Sequence, residues 1–166
     1  MVAYAEMRPV IKTGDLLAFP PLSRGWWGRF QANAVRTATQ SEFSHIGIAY
    51  VIYDRVFVLE SVSTGVRMFP LSRALPFFTI SNPKPLSSAA LEWAFSKIGY
   101  AYESKFKMVL AFIFKLKTNK NERYQCAEYV NGILAANGQQ LAVSDTPSII
   151  VNMAMRQWGG LIYVNK

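Results

Sequence analysis

The chain has 166 residues, of which 51% are hydrophobic, 14% aromatic and only 17% charged. This length suits a single domain, 1–166, and the aromatic content excludes a disordered chain, which would carry few aromatics and many charges. The formal charge of +8 favours acidic partners such as nucleic acid, anionic lipid or carboxylate-rich wall polymer. A charge excess of this kind also serves solubility alone.

The sequence lacks the signals for membrane insertion and secretion. Its longest apolar run, Met108 to Phe114, is far shorter than the roughly 20 residues that span a bilayer. The first residues do not combine a charged leader with an apolar core, as a secretory signal does. We therefore expect no membrane-spanning helix and a cytoplasmic location, or release by lysis or within a virion if the protein is virus-encoded.

The first half of the chain is rich in β signals. Residues 14–19, GDLLAF, predict a turn followed by a short buried strand. The runs HIGIAYVIY and VFVLES predict a hairpin that turns at Asp54-Arg55. Two further strands are predicted at 66–69 and 77–80.

Helical periodicity follows in the second half. Ser87 or Ser88 can cap a first helix that ends at Gly99; one face of it carries Leu91, Ala94, Phe95 and Ile98. A second helix begins near Cys126 and ends at Asn137-Gly138; its buried stripe is Cys126, Tyr129, Val130, Ile133 and Leu134. Thr146-Pro147 opens a last helix, which Gly159-Gly160 ends before a final strand. Strands followed by helices predict an α+β fold with a small antiparallel sheet or partial barrel packed against helices.

Cys126 and His45 are the only cysteine and histidine in the chain. A helix N-terminus favours the thiolate at Cys126, and its N–H groups could hold an oxyanion. An imidazole at His45 could take the thiol proton and return it to a leaving group. The alternatives are a small core cysteine and a structural histidine. One cysteine excludes an intrachain disulfide and a thiolate zinc cluster, so we predict no metal site and no cofactor.

The strings GDLLAF, SHIGIAYV, VFVLES, GYAY and YQCAEYV resemble the NlpC-type papain-like thiol hydrolase superfamily. In that family a GDL strand precedes the strand with the catalytic histidine, and a cysteine opens a helix. Here the cysteine comes last, as in the circularly permuted branch, which includes relatives of lecithin–retinol acyltransferase. The resemblance covers roughly residues 12–137 and implies a permuted papain-like fold.

The resemblance also implies roles for individual residues. Cys126 is the nucleophile, His45 the base and then the acid, and Glu60 the third member that orients the imidazole. Tyr102, the last residue of GYAY, is similar to the cleft tyrosine that binds the oxyanion or substrate. Gln125 could add a donor; Trp27, in the connection before His45, could contact substrate or merely cover the sheet.

Glu60 is the least secure member of the predicted triad. A turn at Asp54-Arg55 places it opposite Ala49, about 13 Å along the strand from His45. Contact then requires a bulge, a strong twist or another register. The alternatives are that Glu60 is a rim carboxylate in a salt bridge and that Glu128 takes its place.

The predicted activity is cysteine-dependent hydrolysis of an amide bond, in a peptide, isopeptide or cell-wall peptide, through a thioester. The sequence departs from the wall-peptidase pattern after Tyr102 and around Cys126. The apolar, lysine-edged segment Phe106 to Lys117 predicts either a core helix with solvated lysines or a basic amphipathic segment that contacts a membrane surface, a partner or an acyl substrate. The alternatives are a thiol acyltransferase or thioesterase acting on lipid acyl groups, and a catalytically silent basic binding module. No nucleic-acid-binding signature supports a nucleic-acid partner, and the oligomeric state stays open.

Overall fold

The computed structural model describes residues 1–20, 43–102, 123–141 and 146–166. The strands in these ranges are β1 Val2–Ala3, β2 Leu16–Phe19, β3 His45–Ile52, β4 Arg55–Val62, β5 Gly65–Pro70, β6 Phe77–Ile80, β7 Ala101–Tyr102, β8 Arg123–Tyr124 and β9 Ile162–Asn165. The helices are α1 Tyr4–Met7, α2 Ser88–Ser96, α3 Cys126–Ala136 and α4 Pro147–Trp158, with a 3-10 turn at Leu71–Arg73. Trp27 and the segment 106–117 lie outside the described residues.

Seven of these strands form one mixed sheet in the order β1-β9-β6-β2-β3-β4-β5. Adjacent strands of this sheet pair antiparallel, except that β1 and β9 pair parallel. β7 and β8 form a separate parallel pair. The chain is therefore an α+β protein whose sheet packs against helices. The predicted final strand, β9, joins this sheet beside β6, and β1, which was not predicted, extends it further.

The helix α3 packs its apolar stripe against β3, β4 and α2. All five residues of the predicted stripe are buried. The Tyr129 hydroxyl donates a 2.9 Å hydrogen bond to the Ala94 carbonyl, and its ring stacks on Trp93 with centroids 6.0 Å apart. The Trp93 ring lies so close to Gly132 that a side chain there would overlap it. The packing fixes α3 on the sheet, and with it the position of Cys126.

The helix α2 is shorter than predicted. Ser87 caps it by accepting a 3.2 Å bond from the Ala90 N–H, and its buried residues are Ala90 and Ala94. The prediction that Ile98 shares a helical face with Leu91, Ala94 and Phe95 is wrong: the helix ends at Ser96, and Ile98 is 42% exposed. The chain turns away just after it, at Gly99 with φ +90°.

The β3–β4 hairpin turns one residue earlier than predicted. Ile52 pairs with Arg55, so the turn is Tyr53-Asp54, and Tyr53 adopts a left-handed φ of 53°. Moving a turn by one residue shifts the cross-strand partners by two positions. The same register, continued past its last recorded pair, Ile48 with Leu59, places Glu60 opposite Gly47 rather than Ala49.

Gly47 allows β4 to approach β3 closely at this point. A Cβ atom at Gly47 would overlap Val58 Cγ2, lie 2.8 Å from the Leu59 carbonyl oxygen and touch Glu60 Cβ at 3.4 Å. We therefore expect Gly47→Ala to lower the free energy of unfolding by about 1–3 kcal/mol, the usual effect of overpacking. Urea denaturation measures this change.

Gly160 offers the matched control. A Cβ atom there meets nothing within 4 Å, and its backbone is not in the left-handed region. Gly160→Ala should leave stability unchanged or raise it by up to about 1 kcal/mol, because it reduces the entropy of the unfolded chain. Equal effects of the two substitutions would contradict the close approach at Gly47.

Candidate active site

Three residues predicted to carry chemistry come together from three different elements. His45 is the first residue of β3, Glu60 lies in β4, and Cys126 is the first residue of α3. The His45 Nε2 atom lies 2.8 Å from Glu60 Oε2. The Cys126 thiol makes a side-chain hydrogen bond with His45. His45 therefore bridges a thiol and a carboxylate.

The corrected register explains how Glu60 reaches His45. Extending the register by one pair puts Glu60 beside Gly47, where a Cβ atom added to the glycine would lie 3.4 Å from Glu60 Cβ. His45 is then the diagonal neighbour two residues along β3, and such neighbours lie roughly 7–8 Å apart between their Cα atoms. A glutamate and an imidazole together cover that separation. Since Gly47 has no side chain, nothing on β3 stands between them.

Both ring nitrogens of His45 have a place in this arrangement. Because Nε2 faces Glu60 Oε2, we expect Nδ1 to be the nitrogen that meets the Cys126 sulfur. An ionised carboxylate only accepts hydrogen bonds, so the proton at Nε2 belongs to histidine and Nδ1 is the acceptor in the neutral ring. The Phe19 ring, with its centroid 5.5 Å from that of His45, packs against the imidazole.

The Cys126 thiol is buried, yet its environment favours the thiolate. Burial, the largest single influence, raises the pKa of Cys126. The hydrogen bond and charge of His45, with the backbone N–H groups of Ile46 and Ala127, act in the opposite direction. Together they outweigh burial, so the pKa of Cys126 lies below its ordinary value. A lowered thiol pKa is characteristic of nucleophilic cysteines.

The N-terminus of α3 is capped beside the sulfur. Gln125 is the N-cap residue and forms a capping box with Glu128, whose Oε2 accepts a 3.0 Å bond from the Gln125 N–H. Glu128, the alternative third member, is thus engaged at the start of the helix, and the structure brings Glu60 to His45 instead. That Gln125 contacts substrate stays a prediction.

Tyr102 belongs to the strand pair that leads into the nucleophile. Its backbone pairs with Tyr124 in β8, just before Cys126, and both short strands lie beside β5. The structure therefore places the Tyr102 backbone near the site, while its side chain and the whole of Trp27 lie outside the described residues. Their predicted contacts with an oxyanion or substrate stay predictions.

Arg67 is a residue of the site that sequence reasoning missed. It lies opposite Glu60 in β5, and its Nε and Nη2 atoms donate bonds of 3.0 and 2.8 Å to Glu60 Oε1. The Glu60 carboxylate is fully buried and holds His45 on one oxygen and Arg67 on the other. Glu60 therefore makes both a salt bridge and the contact with His45, and it does so as a buried carboxylate rather than as the rim carboxylate of the alternative prediction. The signal available in the sequence was the tight turn between VLES and VRMF, which makes these two residues cross-strand partners.

Two features are absent from the described part of the chain. Residues 1–20, 43–102, 123–141 and 146–166 contain no group of three or more His, Cys, Asp or Glu side chains arranged to hold a metal ion. In the same ranges, no helix has both the length and the apolar character that crossing a bilayer requires.

Comparison with family models and with curated proteins finds no match. Among solved structures, the chain is similar to the crystal structure of the metalloprotein yiiX from Escherichia coli O157:H7, a DUF1105 protein. The two share 20% sequence identity and a TM-score of 0.57 over 93% of this chain and 88% of that one. The likeness shows a shared fold across most of both chains.

The geometry predicts how Cys126 reacts with iodoacetamide as pH changes. Because the pKa of Cys126 is lowered, thiolate persists as pH falls below about 8.5, the ordinary value for cysteine. His45→Ala removes a hydrogen bond and a charge that favour the thiolate, so the apparent pKa of alkylation should rise. Intact mass measures the rate, and every adduct reports on the one cysteine.

Denatured protein is the control for this titration. In guanidinium chloride the thiol should titrate near its ordinary value of about 8.5 with or without His45. If the thiol has the same apparent pKa in folded and denatured protein, and His45→Ala does not change it, the pairing of His45 with Cys126 is contradicted.

Proposed function

We propose that this protein is a cysteine-dependent hydrolase that cleaves an amide bond through a thioester intermediate. We further propose that its fold is the circularly permuted form of the NlpC-type papain-like fold. One observation carries the proposal: His45 bridges the Cys126 thiol and the buried Glu60 carboxylate, at the N-terminus of a helix. A thiol, a base and a group that orients the base are the parts that nucleophilic catalysis needs.

In the acylation half of the reaction, Cys126 is the nucleophile, His45 transfers the proton and the N-terminus of α3 stabilises the oxyanion. His45 Nδ1 takes the thiol proton, and the Cys126 sulfur attacks the carbonyl carbon of the amide. The oxyanion lies against backbone N–H groups at the start of α3, where the helix dipole also favours negative charge. The imidazolium then protonates the amide nitrogen, the C–N bond breaks, the amine leaves, and the acyl group stays on sulfur.

Deacylation repeats the proton transfers with water. His45 removes a proton from water as it attacks the thioester carbonyl, then returns a proton to the departing Cys126 sulfur. The products are a carboxylic acid and the free enzyme. Glu60 accepts a hydrogen bond from the His45 Nε2–H throughout, so it keeps Nδ1 directed at the sulfur and stabilises the imidazolium.

The word metalloprotein in the name of the structural neighbour raises the question of a metal here. The side chains at the site do not fit one. Both Glu60 oxygens are engaged, one by His45 and one by Arg67, and a guanidinium beside the carboxylate repels a cation. The proposed reaction therefore depends on the Cys126, His45 and Glu60 side chains.

The substrate class that we propose is a peptide, isopeptide or cell-wall peptide amide. The net charge of +8 is complementary to carboxylate-rich wall polymer. The argument for a lipid acyl substrate depends on the segment 106–117, which lies outside the described residues. Acyl transfer and thioester hydrolysis are therefore alternative outcomes of the test.

The test is detection of an acyl group on Cys126. We expect intact mass after rapid acid quenching of a reaction with peptidoglycan digests to show a thioester adduct, and product analysis to show new amine and carboxyl termini. Cys126→Ser should abolish both, and Glu60→Gln should lower the rate by at least about 10²-fold, as loss of an orienting carboxylate does in triads.

Acyl thioesters are the comparison substrates in that assay. An adduct formed only from lipid acyl donors would make the protein an acyltransferase or thioesterase. A protein that forms no adduct with either substrate class but binds acidic polymers would be a basic binding module, and the hydrolase proposal would fail.

A further inference from the structure

The Glu60 carboxylate is shared between two partners on opposite sides. Oε2 faces His45, while Oε1 accepts both Nε and Nη2 of Arg67. Glu60 has no solvent exposure, whereas the Arg67 side chain is 37% exposed. Among the described residues, the titratable and charged groups gathered here include His45 from β3, Arg67 from β5 and Cys126 from α3, which reaches Glu60 through His45.

We infer that Arg67 is a positioning residue of this centre, which acts on Cys126 through Glu60 and His45. The inference rests on the proposed function and adds a fourth member to the predicted triad. Arg67 touches neither the thiol nor, in the proposed reaction, the scissile bond. Its part is to keep the Glu60 carboxylate ionised and turned so that Oε2 meets Nε2 of His45.

The first reason is charge. A carboxylate withdrawn completely from water needs a compensating charge, and the imidazole supplies one only when it is protonated. Arg67 supplies such a charge, because its guanidinium forms an ion pair with Glu60. Without it, the carboxylate either takes up a proton or turns toward solvent, and in both cases His45 loses its acceptor.

The second reason is geometry. Two N–H donors of one planar guanidinium converge on Oε1, so the orientation of the carboxylate is fixed as well as its charge. Arg67 is itself held in place, because its Cζ lies 4.4 Å from the centroid of the Phe69 ring two residues along the same strand. Lysine would keep the charge but lose the fork.

The pH profile of Cys126 alkylation tests the inference without any substrate. Arg67→Met should raise the apparent pKa of the thiol and slow alkylation at pH 6.5 by about tenfold, which corresponds to about one pKa unit of lost thiolate. Arg67→Lys should give a smaller rise. Arg55→Met, which removes an exposed arginine at the start of β4, is the matched control and should leave the profile unchanged.

A double-mutant cycle shows whether Arg67 acts through Glu60. In a Glu60→Gln background, Arg67→Met should change the alkylation rate by less than about twofold, because the group that it positions is gone. A further rise in thiol pKa of the same size as in the wild-type background would overturn the inference. The neutral Glu60→Gln, Arg67→Met pair also avoids leaving a buried carboxylate unpaired.

The remaining outcomes separate this inference from the proposed function. A wild-type thiol with a lowered pKa and an Arg67→Met profile equal to that of Arg55→Met overturns the role of Arg67 and leaves the hydrolase intact. A wild-type thiol that titrates as in denatured protein overturns both. If Arg67→Met does not fold, Arg67→Lys decides: a wild-type profile in that variant means that Arg67 only balances charge, and a raised pKa supports positioning.

Discussion

The completely buried Glu60 carboxylate is the constraint on which the site depends. Several kcal/mol oppose the burial of an uncompensated carboxylate, and the cost is met only where a cation and further hydrogen bonds lie within reach. The strand order β3-β4-β5 supplies both, since β4 lies between the strand that begins at His45 and the strand that holds Arg67. The sheet therefore sets the orientation of the imidazole before any substrate binds.

The helix α3 brings the second half of the centre to the first. Its buried stripe packs on the sheet and on α2, and this packing holds Cys126 against the first residues of β3. Burial alone would leave the thiol protonated. The His45 interaction and two backbone N–H groups reverse that effect, so hydrophobic packing and thiol activation result from the same placement.

The helix α3 could be predicted from the sequence, whereas the register of β3 with β4 could not. The apolar spacing after Cys126 and the Asn137-Gly138 stop defined α3 to within a residue, because a helix stripe and its end signals are local. The β3–β4 register could not be predicted from local sequence signals. A turn at Asp54-Arg55 and a turn at Tyr53-Asp54 are both compatible with the β-rich runs on either side, and only the second brings Glu60 within reach of His45. The two-residue strand β1 carries too short a pattern to predict, so the sheet was expected to be smaller.

The hydrogen bonding of the His45 ring tests this account most directly. A protein labelled with ¹⁵N-histidine gives two ring signals, because the chain has one histidine. We predict that Nε2 carries a proton in every state and that its signal moves with Glu60→Gln, whereas the Nδ1 signal moves with Cys126→Ala. A neutral ring protonated at Nδ1, or an Nδ1 signal indifferent to Cys126, would contradict the bridge between thiol and carboxylate.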